Sequence, residues 1–548
     1  MAVHATKGTT GTTPRGPPRV PLGRDAGSRC GGTFRGSAIP NVIGAGSTSP
    51  PTENPVRSRL LAATVTALAA TALTTACDDA PEAAQPPPSP QVQPLALTPC
   101  TDLPDLPTAE CGTITVPLDR ANPGAGTTTV AFARVPRTDR SQPPLGTIVP
   151  NPGGPGTSTI DFAGPLYAQG LAPVLDRRDL LLVDPRGTGR STPLTCDALA
   201  DPALALAGLD ERRAAIGECG EQLGDRSAQH STTAVADDID DIRAGLGIDE
   251  LDLFGDSYGT FLMATYAQRH PERTASAVLS GAYSVTERTE GAMGAAALRR
   301  AITLVCERTR RCDGPTALAD LAALATTLRA TPSTVDVEVN GVKQQVPLDE
   351  WQLAGAVGKA FSSTPDPELQ VGVAAAASAA RTGDLAPIRA LVSRYLTTEV
   401  ATAAAGVRAY AVAADWAVSC HDYPEAFAGG DDDREAAHER GLAALDDADF
   451  APFSARAWST RGSYDSGACL KWPHAPSQGT PFEAGAPMPN APVLVLSGDL
   501  DANTPVEAGR QAAAQFPNAE VVEIQGAGHT PSVSEGGMVR VLEFYAAR

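Results

Sequence analysis

Positive charge is scarce in this 548-residue chain: 43 Lys and Arg stand against 63 Asp and Glu, for a formal net charge of -20. Nucleic-acid binding needs a basic patch, so this balance argues against nucleic acid and anionic membrane surfaces as partners. It suits solubility outside the cell. No two of the ten cysteines have C-x-x-C spacing, and the seven histidines do not cluster with them, so no metal site is implied. The glycine run at Gly153-Gly154-Pro155-Gly156 lacks the Gly-Lys-Ser/Thr ending of a phosphate loop, and no organic cofactor is implied. There is no internal repeat. The longest uncharged apolar run, Leu60 to Ala76, is short of the about 20 residues that span a membrane.

What is present is a large folding unit behind an unusual N-terminus. At 42% hydrophobic and 19% charged residues the chain can bury a sizeable core. Residues 1–55 are rich in Gly, Pro, Arg and Ser without apolar periodicity, and read as a disordered extension or as sequence upstream of a true translation start near Val56. Arg57-Ser58-Arg59 followed by Leu60 to Ala76 has the basic start and apolar core of a secretory signal, giving a signal segment over 56–77. Residues 78–98, acidic and then Pro-rich, read as an extended tether. Thr74-Thr75-Ala76-Cys77 resembles a bacterial lipobox, with Thr74 where leucine is usual. Cys77 would then carry a lipid that attaches the protein to the membrane; plain secretion and a retained anchor are the alternatives.

Without Cys30 and Cys77, eight cysteines remain. They fall into sequence neighbours: Cys100 with Cys111, Cys196 with Cys219, Cys306 with Cys312, and Cys420 with Cys469. Eight cysteines allow about 105 connectivities, so neighbour pairing is an expectation that an oxidising compartment would permit.

From Cys100 onward strand and helix patterns alternate. Gly112 to Val116, Thr127 to Ala133, Thr147 to Val149 and Leu180 to Val183 read as strands; Asp237 to Leu246 reads as an amphipathic helix. Leu251 to Phe254 and Ala275 to Leu279 continue the strand series, which pauses near Val285 and resumes at Val493 to Leu496 and Glu520 to Ile524. The Ala- and Leu-rich stretch between looks mostly helical. The pattern predicts an α/β fold with a mainly parallel sheet, a core in two parts (99–284 and 486–548) and a helical cap over 285–485.

Gly255-Asp256-Ser257-Tyr258-Gly259 joins a predicted strand to a run from Thr260 to His270 that suits a helix. A Gly-x-Ser-x-Gly turn in that context exposes a serine hydroxyl on a sharp bend, with glycines permitting close backbone approach. Serine needs a base beside it and a group that orients the base. Gly526-Ala527-Gly528-His529 ends the last predicted strand and offers the imidazole. Gly498-Asp499-Leu500-Asp501 ends the strand before it and offers two carboxylates. Asp501 is preferred because it falls in the turn, where Asn503 and Thr504 could hydrogen-bond it; Asp499 would cap the turn. The order Ser257, Asp501, His529 is that of the α/β-hydrolase fold. The remaining histidines considered (His230, His270, His421, His438 and His474) have structural or surface explanations. Main-chain amides of Gly154 and Tyr258 are the candidate oxyanion donors.

Together, Asn151-Pro152-Gly153-Gly154-Pro155-Gly156, Asp184 to Ser191, the elbow, Gly498 to Asp501 and Gly526 to His529 resemble the secreted tripeptidyl aminopeptidases of the prolyl-aminopeptidase-like serine peptidase family, over about residues 98–548. The resemblance implies a hydrolase sheet, a helical cap and an exported, lipid-anchored or extracellular exopeptidase. Its substrate would be a peptide with a free N-terminus, and Ser257, Asp501 and His529 match the triad. Ser419-Cys420-His421-Asp422-Tyr423 resembles a family segment, and Asp422 is the candidate ligand for the substrate ammonium. A carboxylesterase using the same triad and an exported non-catalytic binding protein are the rival readings.

Overall fold

The computed structural model describes residues 95–284, 291–339, 341–423, 433–473, 481–483 and 485–548. The extension, the signal-like segment with Cys77, most of the tether, and His474 lie outside the described residues.

Eleven strands are present among the described residues: β1 (Thr98–Pro99), β2 (Glu110–Pro117), β3 (Thr127–Val135), β4 (Gly146–Asn151), β5 (Arg178–Val183), β6 (Leu251–Asp256), β7 (Thr274–Ser280), β8 (Ser333–Val339), β9 (Val342–Leu348), β10 (Val493–Gly498) and β11 (Ala519–Ile524). Nine form one sheet in the order β1-β2-β3-β5-β4-β6-β7-β10-β11. The pairs from β5 across to β11 are parallel, and β1, β2 and β3 extend the sheet antiparallel. Strands β5, β6 and β10 are buried at every position, as apolar runs covered on both faces should be. β11 closes the edge, where its Glu520 and Glu523 pair with Arg540 and Arg510 and discourage further strand addition.

The helices are α1 (Gly164–Gly170), α2 (Leu209–Leu223), α3 (Thr232–Gly245), α4 (Tyr258–Arg269), α5 (Ala292–Thr309), α6 (Gly314–Ala330), α7 (Glu350–Ala360), α8 (Pro367–Ala380), α9 (Ala386–Ala404), α10 (Val412–Asp422), α11 (Arg434–Ala443), α12 (Asp447–Phe450), α13 (Ala455–Ser459), α14 (Val506–Ala513) and α15 (Glu535–Ala546). Apolar side chains of α3, α4 and α14 cover one face of the sheet, while α1 and α15 cover the other. This is the α/β-hydrolase fold. Helices α5 to α13 lie between β7 and β10; of these, α5 to α9, α12 and α13 share a separate core around Leu298, Leu321, Leu353, Phe361 and Trp458. That core also takes in Leu500 and Ala502 from the turn after β10.

Two features depart from the expectation. The insertion carries an antiparallel hairpin, β8 with β9, which packs Val335, Val337 and Val346 into the helical core. Residues between β5 and α3, expected in the catalytic core, instead leave the sheet and join the insertion. Leu194, Ile216 and Leu223 cluster with Ala413, Ala417 and Trp472, and Arg213 makes a bidentate ion pair with Asp465 at 2.7 and 2.6 Å. Helix α2 is charged over much of its length, so its sequence gives little apolar periodicity; close contact carries the packing. A Cβ on Gly217 would lie 2.5 Å from Lys471, and one on Gly220 2.8 Å from the Trp472 indole.

Disulfides join Cys100–Cys111, Cys196–Cys219, Cys306–Cys312 and Cys420–Cys469, each cysteine with its sequence neighbour. No helix of the described residues is long and apolar enough to cross a membrane.

Candidate active site

Ser257 stands between β6 and α4 with φ 54° and ψ -123°, a conformation non-glycine residues rarely hold unless their surroundings impose it. The flanking glycines permit this turn. A Cβ on Gly255 would meet the Gly259 carbonyl at 2.3 Å, and one on Gly259 the Asn151 carbonyl at 2.2 Å. The Ser257 amide donates to the Ser280 carbonyl at 3.0 Å, tying the elbow to β7.

The loops after β10 and β11 deliver the partners. His529 Nε2 lies 2.8 Å from Ser257 Oγ, and His529 Nδ1 lies 3.0 Å from Asp501 Oδ2. The imidazole is 13% exposed and the Asp501 carboxylate fully buried, so the relay is shielded from water on the acid side. Burial alone would push the Asp501 carboxyl up. The nearby imidazole, with donors at Asn503 and Thr504, outweighs that and holds it below the ordinary carboxylate range. Oδ1 accepts the amides of Asn503 (2.7 Å) and Thr504 (3.1 Å), and Oδ2 accepts the Thr504 hydroxyl (2.8 Å). Asn503 Nδ2, a donor only, is 3.3 Å from His529 Nε2, which fits Nε2 as the acceptor and Nδ1 as the protonated nitrogen. Thr504 Oγ1 also lies 3.0 Å from Nδ1, a direct contact with the base that the sequence reading had not assigned.

Of the two acidic candidates, only Asp501 reaches the histidine. Asp499 turns the other way, accepting the Gly526 amide at 2.8 Å and pairing with Arg308 of α5. It ties the catalytic loops to the insertion.

On the opposite side, Gly153 presses against the elbow: a Cβ there would lie 2.9 Å from the Tyr258 nitrogen and 3.0 Å from Ser257 Cβ. The Gly153 amide is occupied by Asn151 Oδ1 at 3.0 Å. The Gly154 amide has no acceptor among the described residues, and that of Tyr258, first in α4, has no carbonyl four residues back within the helix. Asp184 anchors the next turn, accepting from Ser158 Oγ and the amides of Thr159 and Ile160 at 3.0, 2.7 and 2.9 Å. Its second oxygen accepts the Arg190 amide at 2.7 Å.

The insertion docks by main chain on these loops. Ala411 donates to the Gly156 carbonyl at 2.8 Å, Ser158 to that of Ala409 at 3.1 Å, and Ala502 to that of Phe361 at 2.9 Å.

Asp422 is 6% exposed at the end of α10. Its Oδ2 accepts the Thr232 amide at the start of α3, and its Oδ1 has no hydrogen-bond partner. Burial pushes this carboxyl up to about 6. Two turns earlier on the same helix, half-buried Asp415 accepts from Tyr410 and Ser419, and burial likewise pushes it up to about 6. Among the described residues neither carboxylate pairs with a basic side chain. The rival histidines have other work: His230 bonds the Arg226 carbonyl, His270 bonds Asp237, His421 bonds Ser227 and His438 bonds Ser466. No group of His, Cys, Asp or Glu among the described residues is arranged to hold a metal.

The alpha/beta hydrolase fold family matches residues 146–355, and the TAP-like protein family matches residues 454–543. Serine protease Hip1 of Mycobacterium tuberculosis is 34% identical over 209 residues, 35% of this chain and 40% of that protein. Tripeptidyl aminopeptidase of Streptomyces coelicolor is 32% identical over 179 residues, covering 30% of this chain and 33% of that one. Carboxylesterase B of M. tuberculosis is 34% identical over 159 residues, 26% and 30% of the two chains. The aligned stretch thus spans less than half the length of these relatives. The chain thus has the alpha/beta hydrolase fold with a TAP-like match near its C-terminus, and it is similar to serine hydrolases over part of their length.

Proposed function

We propose that this protein is an exported serine exopeptidase that releases short peptides, tripeptides in particular, from free N-termini. The Ser257–His529–Asp501 relay, with successive contacts of 2.8 and 3.0 Å, carries the reading. Ser257 Oγ attacks the scissile carbonyl as His529 Nε2 takes its proton, and Asp501 steadies the imidazolium. Main-chain amides of Gly154 and Tyr258 donate to the oxyanion, each donor contributing about 2.7–4 kcal/mol of transition-state stabilisation. His529 returns the proton to the leaving amine, and water, activated by the same base, hydrolyses the acyl-enzyme.

Recognition of a free N-terminus needs a carboxylate without a resident cation. Asp415 and Asp422 of α10 both meet that condition, and half-buried Asp415 is the more accessible. Export is supported by the signal-like segment and the four disulfides; attachment through a lipid on Cys77 is supported by the lipobox-like sequence. The carboxylesterase B relative supports a second reading, ester hydrolysis by the same triad.

The test is product mass spectrometry on one peptide with free and acetylated N-termini, beside a short-chain ester. An exopeptidase releases a tripeptide from the free form only. Equal cleavage of both forms, or ester turnover alone, refutes the proposal. Ser257→Ala should abolish labelling by a fluorophosphonate, and persistent labelling would assign the nucleophile elsewhere.

A further inference from the structure

We propose that Asp256, the residue before the nucleophile, is a positioning residue for His529: its buried hydrogen bonds lock the histidine loop to the nucleophile strand. That role presupposes Ser257 as nucleophile and His529 as base, the reading proposed above.

Asp256 ends β6 and is 4% exposed. Its Oδ2 accepts the Tyr167 hydroxyl of α1 at 2.7 Å, and its Oδ1 accepts the hydroxyl of Ser532 at 2.5 Å. Ser532 lies three residues beyond His529, and its amide donates to Ser280 Oγ at the end of β7 at 3.0 Å. The same Ser280 holds the Ser257 amide through its carbonyl. One buried cluster therefore grips both the nucleophile elbow and the loop that carries the base.

That loop needs a grip. Thr530, directly after His529, has φ 55°, a left-handed conformation that a β-branched residue keeps only when its surroundings impose it. The Ser532 contacts with Asp256 and Ser280 lie immediately downstream. They supply the constraint without touching the reacting atoms.

Beyond the hydrogen bonds, Asp256 and His529 attract each other as opposite charges, the least of the influences on the carboxyl. Burial raises the Asp256 carboxyl above its ordinary range; hydroxyls of Ser532, Tyr167 and Ser280, and then the charge of His529, act against that. The other titratable groups it acts on are the phenols of Tyr167 and of Tyr545 from α15, both raised well above the ordinary value chiefly by burial, with Asp256 next for Tyr167 and Asp252 ahead of Asp256 for Tyr545. Imidazolium is thus the cation that Asp256 can favour when Ser257 loses its proton.

The experiment measures fluorophosphonate inactivation rate against pH for wild type, Asp256→Asn and Ser532→Ala, together with kcat and KM on the best substrate found. Asp256→Asn keeps the shape and removes the charge. Its acid limb should move to lower pH, because the imidazolium loses an opposite charge, and kcat should fall about 10–100-fold with KM changed less than about twofold. Ser532→Ala keeps the carboxylate and removes the tie. Its kcat should fall about tenfold without a downward shift of the limb. If Asp256→Asn does not fold, Ser532→Ala alone decides the positioning claim. An unmoved limb and unchanged kcat in the folded variants would overturn the assignment. Wild type that fails to label would instead sink the triad reading itself.

Discussion

Asp501→Asn gives the sharpest test of the relay, because the structure dictates how the new amide must sit. The position of Oδ1 faces two backbone donors, the amides of Asn503 and Thr504 at 2.7 and 3.1 Å, so it must be filled by the amide oxygen. The amide nitrogen then falls at the Oδ2 position, 3.0 Å from His529 Nδ1. A donor there forces Nδ1 to accept, which moves the ring proton to Nε2 and points it at Ser257 Oγ. The base is then already protonated where it should receive a proton. Loss of the correct tautomer in such triads costs roughly 10⁴-fold in kcat, about 5 kcal/mol of barrier. The assay is kcat on a tripeptide anilide with the fluorophosphonate inactivation rate alongside, and a thermal melt to show that the fold persists. Asp499→Asn serves as the contrast, since Asp499 faces Arg308 and Gly526, and should lose less than about tenfold. A variant at residue 501 within tenfold of wild type, or an equal loss at residue 499, would refute the assignment.

Three further outcomes are expected. Asp422→Asn keeps an acceptor for the Thr232 amide but removes a charge whose titration burial has raised from 3.8 to about 6. A raised acid favours the folded state below its unfolded value and loses that advantage as pH rises through about 6, so the variant should gain on the order of 2 kcal/mol at pH 7.5 and little at pH 4. Urea unfolding at both values checks this, and a less stable variant at pH 7.5 contradicts it. Gly528→Ala would place a Cβ 2.3 Å from the Ser363 carbonyl, displacing the residue next to His529; kcat should drop about 10–100-fold, and an unchanged kcat would show that the insertion loop yields instead. Cys420→Ser with Cys469→Ser opens a link across a sequence separation of 49, which the loop-entropy account values at about 4 kcal/mol; a melting temperature unchanged by the pair would contradict it.

Much of this architecture was legible along the chain because its signals are local. Runs such as Leu180 to Val183 and Val493 to Leu496 have the continuous apolar character of strands covered on both faces, and the structure buries every position of both. The elbow glycines announce a turn in which no Cβ fits, and Gly255 and Gly259 meet backbone at 2.3 and 2.2 Å. Other features depend on partners far away in sequence. Whether Asp499 or Asp501 faced the imidazole turned on how one loop folds against Arg308 and another against Ser257. Helix α2 shows too little periodicity to be placed, because an ion pair to Asp465 and close contacts to Lys471 and Trp472 hold it, more than two hundred residues on. Asp256 occupies the variable position of a Gly-x-Ser-x-Gly motif, and its contacts depend on Ser532, from the other end of the chain, being brought to its carboxylate. Backbone propensity and hydrophobic period act over a few residues and can be read in order; hydrogen bonds between buried groups form only where folding brings the segments together.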